Sequence, residues 1–380
     1  MSSSRSGRPL RFLVRAAVFV LVFGVVAEVW LRTVMPASET PVSYQQQPAT
    51  ILRFDPHGPT SGLYTVGRLC LRGGRWRINN AGWNSAVDYA PAAERRRPLI
   101  ALFGDSYIEG MLTDTDQHID AYLPRMLPGV DSYAFGYSGW YLEQYVAVSR
   151  FARPRFLPDV LVIFIDGADV SDSLRENGVP SPFFWQIGAR GASFEELPPT
   201  ASYAPSRKQV LAKKSALVNY LRYNAKLTLP GVRKAAIPQP ATGAGAPSED
   251  DAVGVVAPAD DAWRDLVPAA DFMVGRLCEQ HPGTPIVFVA HSDRYLPVQD
   301  IVRTPLFPDG QAVEAACKGR RQCSFIDLRN AFSVDWARNG VPFESADGGH
   351  WNAYGNRLVA RTLADFITEN SLLAAGRKQQ

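Results

Sequence analysis

The stretch PLIALFGDS, residues 98–106, is a short apolar run that ends in a glycine, an aspartate and a serine. Four further apolar runs of similar length are bounded by turn residues: VDSYAF (130–135), DVLVIFI (159–165), PIVFVA (285–290) and SFIDL (324–328). Continuous apolar runs of this length are typical of strands covered on both faces, so we predict a parallel sheet of about five strands between helices.

Amphipathic helices are predicted between these strands. Apolar residues recur at three- and four-residue spacing in four segments: Asp120–Leu127, Leu142–Phe151, Asp261–Leu277 and Asn352–Ile367. The alternation of strands and helices predicts an α/β fold, a three-layer α/β/α sandwich. The connection from Val170 to Thr284 is too long for a simple crossover, so an insert is expected at about 174–260.

The insert has two recognisable parts. Residues 206–227 (SRKQVLAKKSALVNYLRYNAKL) have the pattern of one basic amphipathic helix, whose charged face would either meet anionic lipid or glycan or remain solvated. Residues 231–258 are low-complexity Ala/Pro/Gly sequence, for which no packed structure is expected.

The N-terminus has the order of charge and hydrophobicity found in exported proteins. Arg5, Arg8, Arg11 and Arg15 precede an apolar run, 16–31, that is interrupted only by Glu28. A basic flank before such a run predicts that the N-terminus stays in the cytoplasm and the remainder is exported. Either an uncleaved single-pass anchor or a signal peptide cut after Ala27 fits this pattern; the anchor is preferred.

Composition limits the partners. The chain has 380 residues and a net charge of +3 from 40 basic and 37 acidic residues, which gives no reason to expect a nucleic-acid partner. The four cysteines are Cys70, Cys278, Cys317 and Cys323, and the short loop between the last two leaves a local disulfide open. Because no His/Cys cluster has zinc spacing, we predict no metal and no cofactor.

The expected organisation has four parts. Residues 1–34 form a cytoplasmic tip and transmembrane anchor, 35–97 a stalk and β-rich lead-in, 98–370 a catalytic domain with the insert, and 371–380 a tail. The anchor would place this protein in the inner membrane, with its main domain in the periplasm.

Two short motifs carry the chemistry. Ser106 follows the first predicted strand, at the edge of a parallel sheet where ligands bind. Asp347 and His350 precede the last predicted helix, and three-residue spacing lets one turn place both beside Ser106. A serine nucleophile needs such a base, and the base needs a carboxylate that orients it. Taken alone, Ser106 could be only a helix N-cap and Asp347 an ordinary surface residue; the combination favours a catalytic triad.

In these motifs the chain resembles the SGNH/GDSL hydrolases, whose first block is the GDS serine and whose last is the DxxH pair. Residues 78–89, INNAGWNSAVDY, also resemble the lead-in of membrane-tethered members found with bacterial polysaccharide genes. The resemblance implies a flavodoxin-like fold and action on acyl esters. It places Asp105, Gly139 and Asp169 beside the nucleophile, with the amide of Gly139 in the oxyanion hole.

One sequence block of the chain departs from the pattern of this family. Its third block ends in Asn-Asp, and the asparagine side chain completes the oxyanion hole, but here Ala168 precedes Asp169. Loss of such a donor typically costs about 10²–10³ in rate.

The resulting expectation is an extracytoplasmic serine esterase or O-acyl(acetyl)transferase acting on an envelope or exported polysaccharide. Its partners would be an acylated glycan or small ester, the inner membrane, and a membrane protein that delivers an acyl donor. The alternative is a weak or inactive relative that binds or assembles glycan, which Ala168 would support.

Overall fold

A computed structural model describes residues 7–46, 50–177, 181–191, 193–227, 262–291 and 293–373. The low-complexity part of the insert and most of the predicted tail lie outside these residues.

The chain begins with a long helix, α1 (Gly7–Thr33). Its segment Arg11–Thr33 is long and apolar enough to cross a membrane, and contains an 18-residue window with a mean hydropathy of 2.4 and no buried residue. Length and composition also fit a signal sequence. Two antiparallel strand pairs follow: β1 (Ser43–Gln46) with β2 (Ile51–Phe54), and β3 (Ser61–Val66) with β4 (Leu71–Arg77).

The segment expected to be a stalk is packed. Ala37, Ser38 and Val42 are buried, and β1 pairs with β2 over its whole length. The backbone amide of Ser38 donates to Asn224 Oδ1 at 2.8 Å, which ties the segment to the insert. The polar and Pro-containing sequence led us to expect a stalk, but its hydrogen-bonding groups are satisfied by partners distant in the chain.

The predicted parallel sheet is confirmed. Its strands are β5 (Leu99–Gly104), β6 (Asp131–Gly136), β7 (Val160–Ile165), β10 (Ile286–Ala290) and β11 (Cys323–Asp327). They lie in the order β11-β10-β7-β5-β6, and every neighbouring pair is parallel. A separate hairpin, β8 (Gln186–Arg190) and β9 (Ser193–Leu197), belongs to the insert and was not predicted.

Helices cover both faces of the sheet, as expected for three layers. In chain order, the helices after α1 are α2 (Ser106–Glu109), α3 (Ile119–Met126), α4 (Leu142–Phe156), α5 (Arg207–Ala212), α6 (Ala216–Asn219), α7 (Ala262–Gln280), α8 (Pro308–Cys317), α9 (Arg329–Asn339) and α10 (Ala353–Glu369). Of these, α5 and α6 belong to the insert and to neither core on the sheet. One core contains α4, α7 and α8 with the lead-in, and the other contains α3, α9 and α10.

Side chains along β5 point alternately to the two faces of the sheet, and this explains why two cores form. Leu99, Ala101 and Phe103 point into the first core, whereas Ile100 and Leu102 point into the second. Each side chain is fully buried, which accounts for the uninterrupted apolar run in the sequence.

The single basic helix predicted over 206–227 is wrong in detail. The chain forms α5, then α6, then a π-helical turn at Tyr220–Asn224. Ser206 caps α5, and the Ser215 hydroxyl accepts from the Val218 amide and starts a second helix. Serine competes for backbone groups inside a helix, so a new N-cap interrupts the periodic pattern.

The four cysteines are free thiols. Cys323 Sγ lies 3.4 Å from the Sγ of Cys278 on α7. The local Cys317–Cys323 bridge that the sequence left open is absent from the structure.

Candidate active site

Ser106 is the first residue of α2, immediately after β5. The Asp105 side chain caps this short helix by accepting from the Tyr107 amide at 3.0 Å. Gly110 ends the helix with φ +70°, and the ring of His118 would meet any Cβ there at 2.6 Å. The tight turn holds Ser106 at the carboxyl edge of the sheet, where β6, β7 and β10 also end.

The structure brings together the three residues that the sequence proposed as a triad. Ser106 Oγ lies 2.7 Å from His350 Nε2, and His350 Nδ1 bonds Asp347 Oδ2. The other carboxylate oxygen of Asp347 accepts from the backbone amides of Gly349 and His350, each at 3.1 Å. The loop itself provides these amides, which fix the carboxylate toward the imidazole.

The two charged partners shift each other's pKa. Burial alone would lower the pKa of His350, but the hydrogen bond and charge of Asp347 raise it above its ordinary value. Burial alone would raise the pKa of Asp347, yet the bond and charge of His350 and the two amides lower it. Asp347 is therefore a stable carboxylate that strengthens His350 as a base.

Tyr107 forms an aromatic wall beside this pair. Its ring lies 4.7 Å from the ring of His350 and 4.0 Å from that of His291. The Tyr107 hydroxyl donates to the carbonyl of Gly349 at 3.1 Å and accepts from Arg294 Nη2 at 2.7 Å. The residue after the nucleophile thus supports the loop that carries the base.

His291, directly after β10, also lies at the site. It is 3% exposed, and burial lowers its pKa to about 4. At neutral pH it is an uncharged ring between Tyr107 and Trp351 rather than a second base.

Gly139 lies on the loop after β6. It is exposed and has φ +79°, a conformation that favours glycine. The hydroxyl of the preceding Ser138 donates to Glu109 Oε2, so the end of α2 and this loop are joined. Burial raises the pKa of Glu109 to about 7. Sequence reasoning missed Glu109, although its position three residues after Ser106 places it one helical turn away.

Ala168 and Asp169 occupy the turn after β7. Ala168 is exposed, whereas Asp169 is buried and accepts from the Asp166 amide at 2.9 Å and from the Tyr145 hydroxyl. Burial raises the pKa of Asp169 well above its usual range. Asp169 therefore holds the turn through hydrogen bonds on its buried side. Ala168 faces outward, and its side chain is only a methyl group.

Asp105 differs from Asp347 in its environment. Burial and the charge of Asp166 raise its pKa to about 6. Its Oδ2 lies 3.3 Å from Ser106 Oγ, farther than the 2.7 Å to His350. The serine hydroxyl therefore lies closer to His350 than to Asp105.

No protein-family model and no curated protein sequence matches the chain. Among solved structures it is similar to a Corynascus thermopiles (Myceliophthora fergusii) carbohydrate esterase family 2 enzyme with a carbohydrate-binding domain. That match has 13% identity and a TM-score of 0.37, and it covers 76% of this chain and 69% of the other.

A salicylyl-acyltransferase from a tetracycline biosynthetic pathway has 13% identity and a TM-score of 0.40, covering 74% of this chain and 57% of its own. An acetyl xylan esterase from Butyrivibrio proteoclasticus has 10% identity and a TM-score of 0.36, covering 74% and 65%.

Proposed function

We propose that the chain is a serine esterase or O-acyltransferase that works through an acyl-enzyme at Ser106. The observation that carries the proposal is the continuous contact from Ser106 Oγ to His350 Nε2, at 2.7 Å, and from His350 Nδ1 to Asp347. A serine hydroxyl with an oriented base is the minimum requirement for acyl transfer.

The proposed reaction has two steps. Ser106 Oγ attacks the ester carbonyl while His350 Nε2 takes its proton, and Asp347 stabilises the resulting imidazolium. The proton then passes to the leaving alcohol as the carbonyl re-forms. Water or an acceptor hydroxyl, deprotonated by His350, attacks the acyl-enzyme and releases a free acid or a transferred ester.

The proposed oxyanion hole consists of the amides of Ser106 and Gly139. Among the described residues neither amide has a backbone acceptor outside regular helices and strands. Because Ala168 provides no side-chain donor, we expect turnover about 10²–10³ below that of a three-donor site. The same alanine is the observation that favours a second candidate, a glycan-binding protein with little activity.

The substrate and location are proposed from the sequence. Residues 78–89 and the GDS and DxxH motifs resemble those of membrane-tethered SGNH/GDSL hydrolases. This resemblance favours as substrate an O-acyl group, preferably acetyl, on an envelope or exported polysaccharide. The basic flank before the apolar run 16–31 favours a catalytic domain on the periplasmic side of the inner membrane. Transfer, rather than hydrolysis, would require a donor delivered by a membrane partner.

The test is covalent labelling and esterase activity of the purified full chain. A fluorescent alkyl phosphonate should label the wild type at Ser106, with hydrolysis of small acetyl esters inhibited in parallel. Ser106→Ala should lose both signals, whereas Ser193→Ala, an exposed serine of the β8–β9 hairpin, should keep them. Undiminished labelling of Ser106→Ala would contradict the assignment.

A pH series on the same protein tests the role of His350. Only the neutral ring can take a proton, so kcat/KM should fall as the pH drops through its raised pKa, above the ordinary value of 6.5. Asp347→Asn should move this acidic limb to lower pH and reduce the plateau by roughly 10⁴. An unchanged limb in this variant would rule out Asp347 as the partner of His350.

A further inference from the structure

A cleft of about 780 Å³ opens where the C-terminal end of α1 meets the lead-in and the insert. Leu31 and Arg32 come from the last turns of α1, Leu63 and Trp76 from the β3–β4 hairpin, and Lys213 from the segment between α5 and α6. Three parts of the chain that are distant in sequence therefore build one cavity with both apolar and basic lining.

The basic side chains of the cleft are incompletely neutralised. Arg32 pairs with Glu28 of its own helix. Glu39 is the acidic residue of the lining, and its Oε2 accepts the Leu63 amide at 2.9 Å. Within the described part of the chain, neither Lys213 nor Lys214 pairs with a carboxylate. The cleft therefore contains two lysines without a carboxylate partner beside an apolar surface.

Lys213 is held in place without an anion. Its Nζ donates to the Thr40 hydroxyl at 3.0 Å and to the carbonyl oxygens of Thr40 and Pro41. Burial, with the nearby charge of Arg222, lowers its pKa to about 7. A bound anion would favour the charged form and restore the ordinary pKa.

The position of the cleft identifies the source of that anion. Arg11–Thr33 is an apolar helical segment of 23 residues, and at 1.5 Å per residue such a helix spans a hydrocarbon core of roughly 30 Å. Leu31 and Arg32 lie at its end, so the cleft opens at the level of the lipid headgroups. Basic residues close to a membrane surface attract anionic lipid headgroups.

We propose that the cleft binds the headgroup of an anionic phospholipid. The phosphate lies beside Lys213 and Lys214, and the glycerol and first acyl carbons lie against Leu63 and Trp76. The proposal rests on the membrane anchoring proposed above, but it is independent of the chemistry at Ser106.

The experiment uses the full chain in nanodiscs that contain equal amounts of phosphatidylglycerol and phosphatidylcholine. After transfer to mild detergent, native mass spectrometry counts the lipids that the protein retains. Wild type should retain phosphatidylglycerol in preference to phosphatidylcholine. Each cation near an anionic headgroup changes the lipid affinity about fivefold. The double variant Lys213→Gln/Lys214→Gln should therefore bind phosphatidylglycerol roughly 30-fold more weakly.

Two further variants make the result specific. Ser61→Trp fills the cleft from the β3 side without removing a cation, and it should also abolish retention even if loss of Lys213 impairs folding. Lys318→Gln removes an exposed cation at the end of α8, outside the cleft, and should leave retention unchanged. Wild-type hydrolysis of a small acetyl ester should persist in all these variants, which separates this site from the catalytic proposal.

Three results would overturn the inference. Equal retention of the two lipids by the wild type would remove the preference for an anionic headgroup. Unchanged phosphatidylglycerol retention in both Ser61→Trp and the lysine variant would place the lipid elsewhere. Displacement of the lipid by excess inorganic phosphate would identify a free-anion site instead.

Discussion

Ala168 is the residue at which this chain departs most clearly from the family it resembles. It is exposed on the turn after β7, while its neighbour Asp169 is buried and bonded to Tyr145. An outward-facing side chain at this position can approach a developing oxyanion, but a methyl group donates no hydrogen bond. In the proposed oxyanion hole, the remaining donors are the backbone amides of Ser106 and Gly139.

Ala168→Asn should therefore increase activity. A well-placed donor is worth roughly 3 kcal/mol, but an imported side chain seldom finds ideal geometry, so we expect about a tenfold gain in kcat. The measurement is steady-state hydrolysis of a small acetyl ester. The gain should vanish when Ser106→Ala is added, because the donor acts only on a carbonyl under attack.

Two results would argue against this role for Ala168. High wild-type activity with no gain would mean that another group completes the oxyanion hole. Inactivity of both folded proteins on several esters would favour the glycan-binding candidate.

The residues of the site differ in how far sequence predicted them. Ser106, Asp347 and His350 stand in short motifs next to predicted element ends, so local sequence was sufficient. Arg294 lies far from Ser106 in sequence, and only the fold brings it to Tyr107. No local sequence pattern predicts such a long-range contact.

At the scale of elements, the lead-in supports the proposed catalytic turn, residues 105–113, which carries Ser106. The Gly74 amide on β4 donates to the Met111 carbonyl at 3.1 Å, and Asn84 Nδ2 donates to the Glu109 carbonyl at 2.8 Å. The sequence predicted short strands here but not this contact, because strand propensity does not predict which segment a strand packs against.

Gly74→Ala should disturb this contact. The new Cβ would lie 2.0 Å from the Thr113 carbonyl oxygen, so the hairpin and the loop must separate. We expect a loss of about 1–3 kcal/mol in the free energy of unfolding from overpacking. Because small displacements of reacting groups are costly, kcat should fall by at least about tenfold. Denaturant unfolding and ester hydrolysis measure the two effects.

Gly275→Ala is the matched control. Gly275 lies within α7, where the nearest atom to a new Cβ is Arg320 Nη2 at 3.7 Å. Alanine in a helix interior is favoured over glycine by roughly 0.5–1 kcal/mol, so this variant should be as stable as wild type or more stable, with unchanged kcat. Equal behaviour of the two variants would show that the hairpin does not support the catalytic turn.

At the scale of the whole molecule, α1 and the remainder of the protein are joined by specific contacts. The Glu28 carboxylate accepts from the Ser215 hydroxyl and from the amides of Ala216 and Leu217, so it caps α6. Leu31 packs with Ala37 and Ala216. In the sequence Glu28 is only an interruption of an apolar run, because its partner helix lies far along the chain, in the insert.

These contacts predict an anchor that stays attached, and the basic flank before the apolar run predicts a main domain in the periplasm. Cleavage after Ala27 would detach Glu28 from the membrane helix and leave it at a frayed N-terminus, whereas an intact α1 holds it against α6. Full-length chain carrying alkaline phosphatase after residue 380 should be active in cells and should resist extraction from membranes by alkaline carbonate. Peptides from residues 16–27 should be recovered from that membrane fraction by mass spectrometry. A stable but inactive fusion would reverse the topology, and an active, carbonate-soluble fusion that begins at Glu28 would establish a cleaved signal peptide instead.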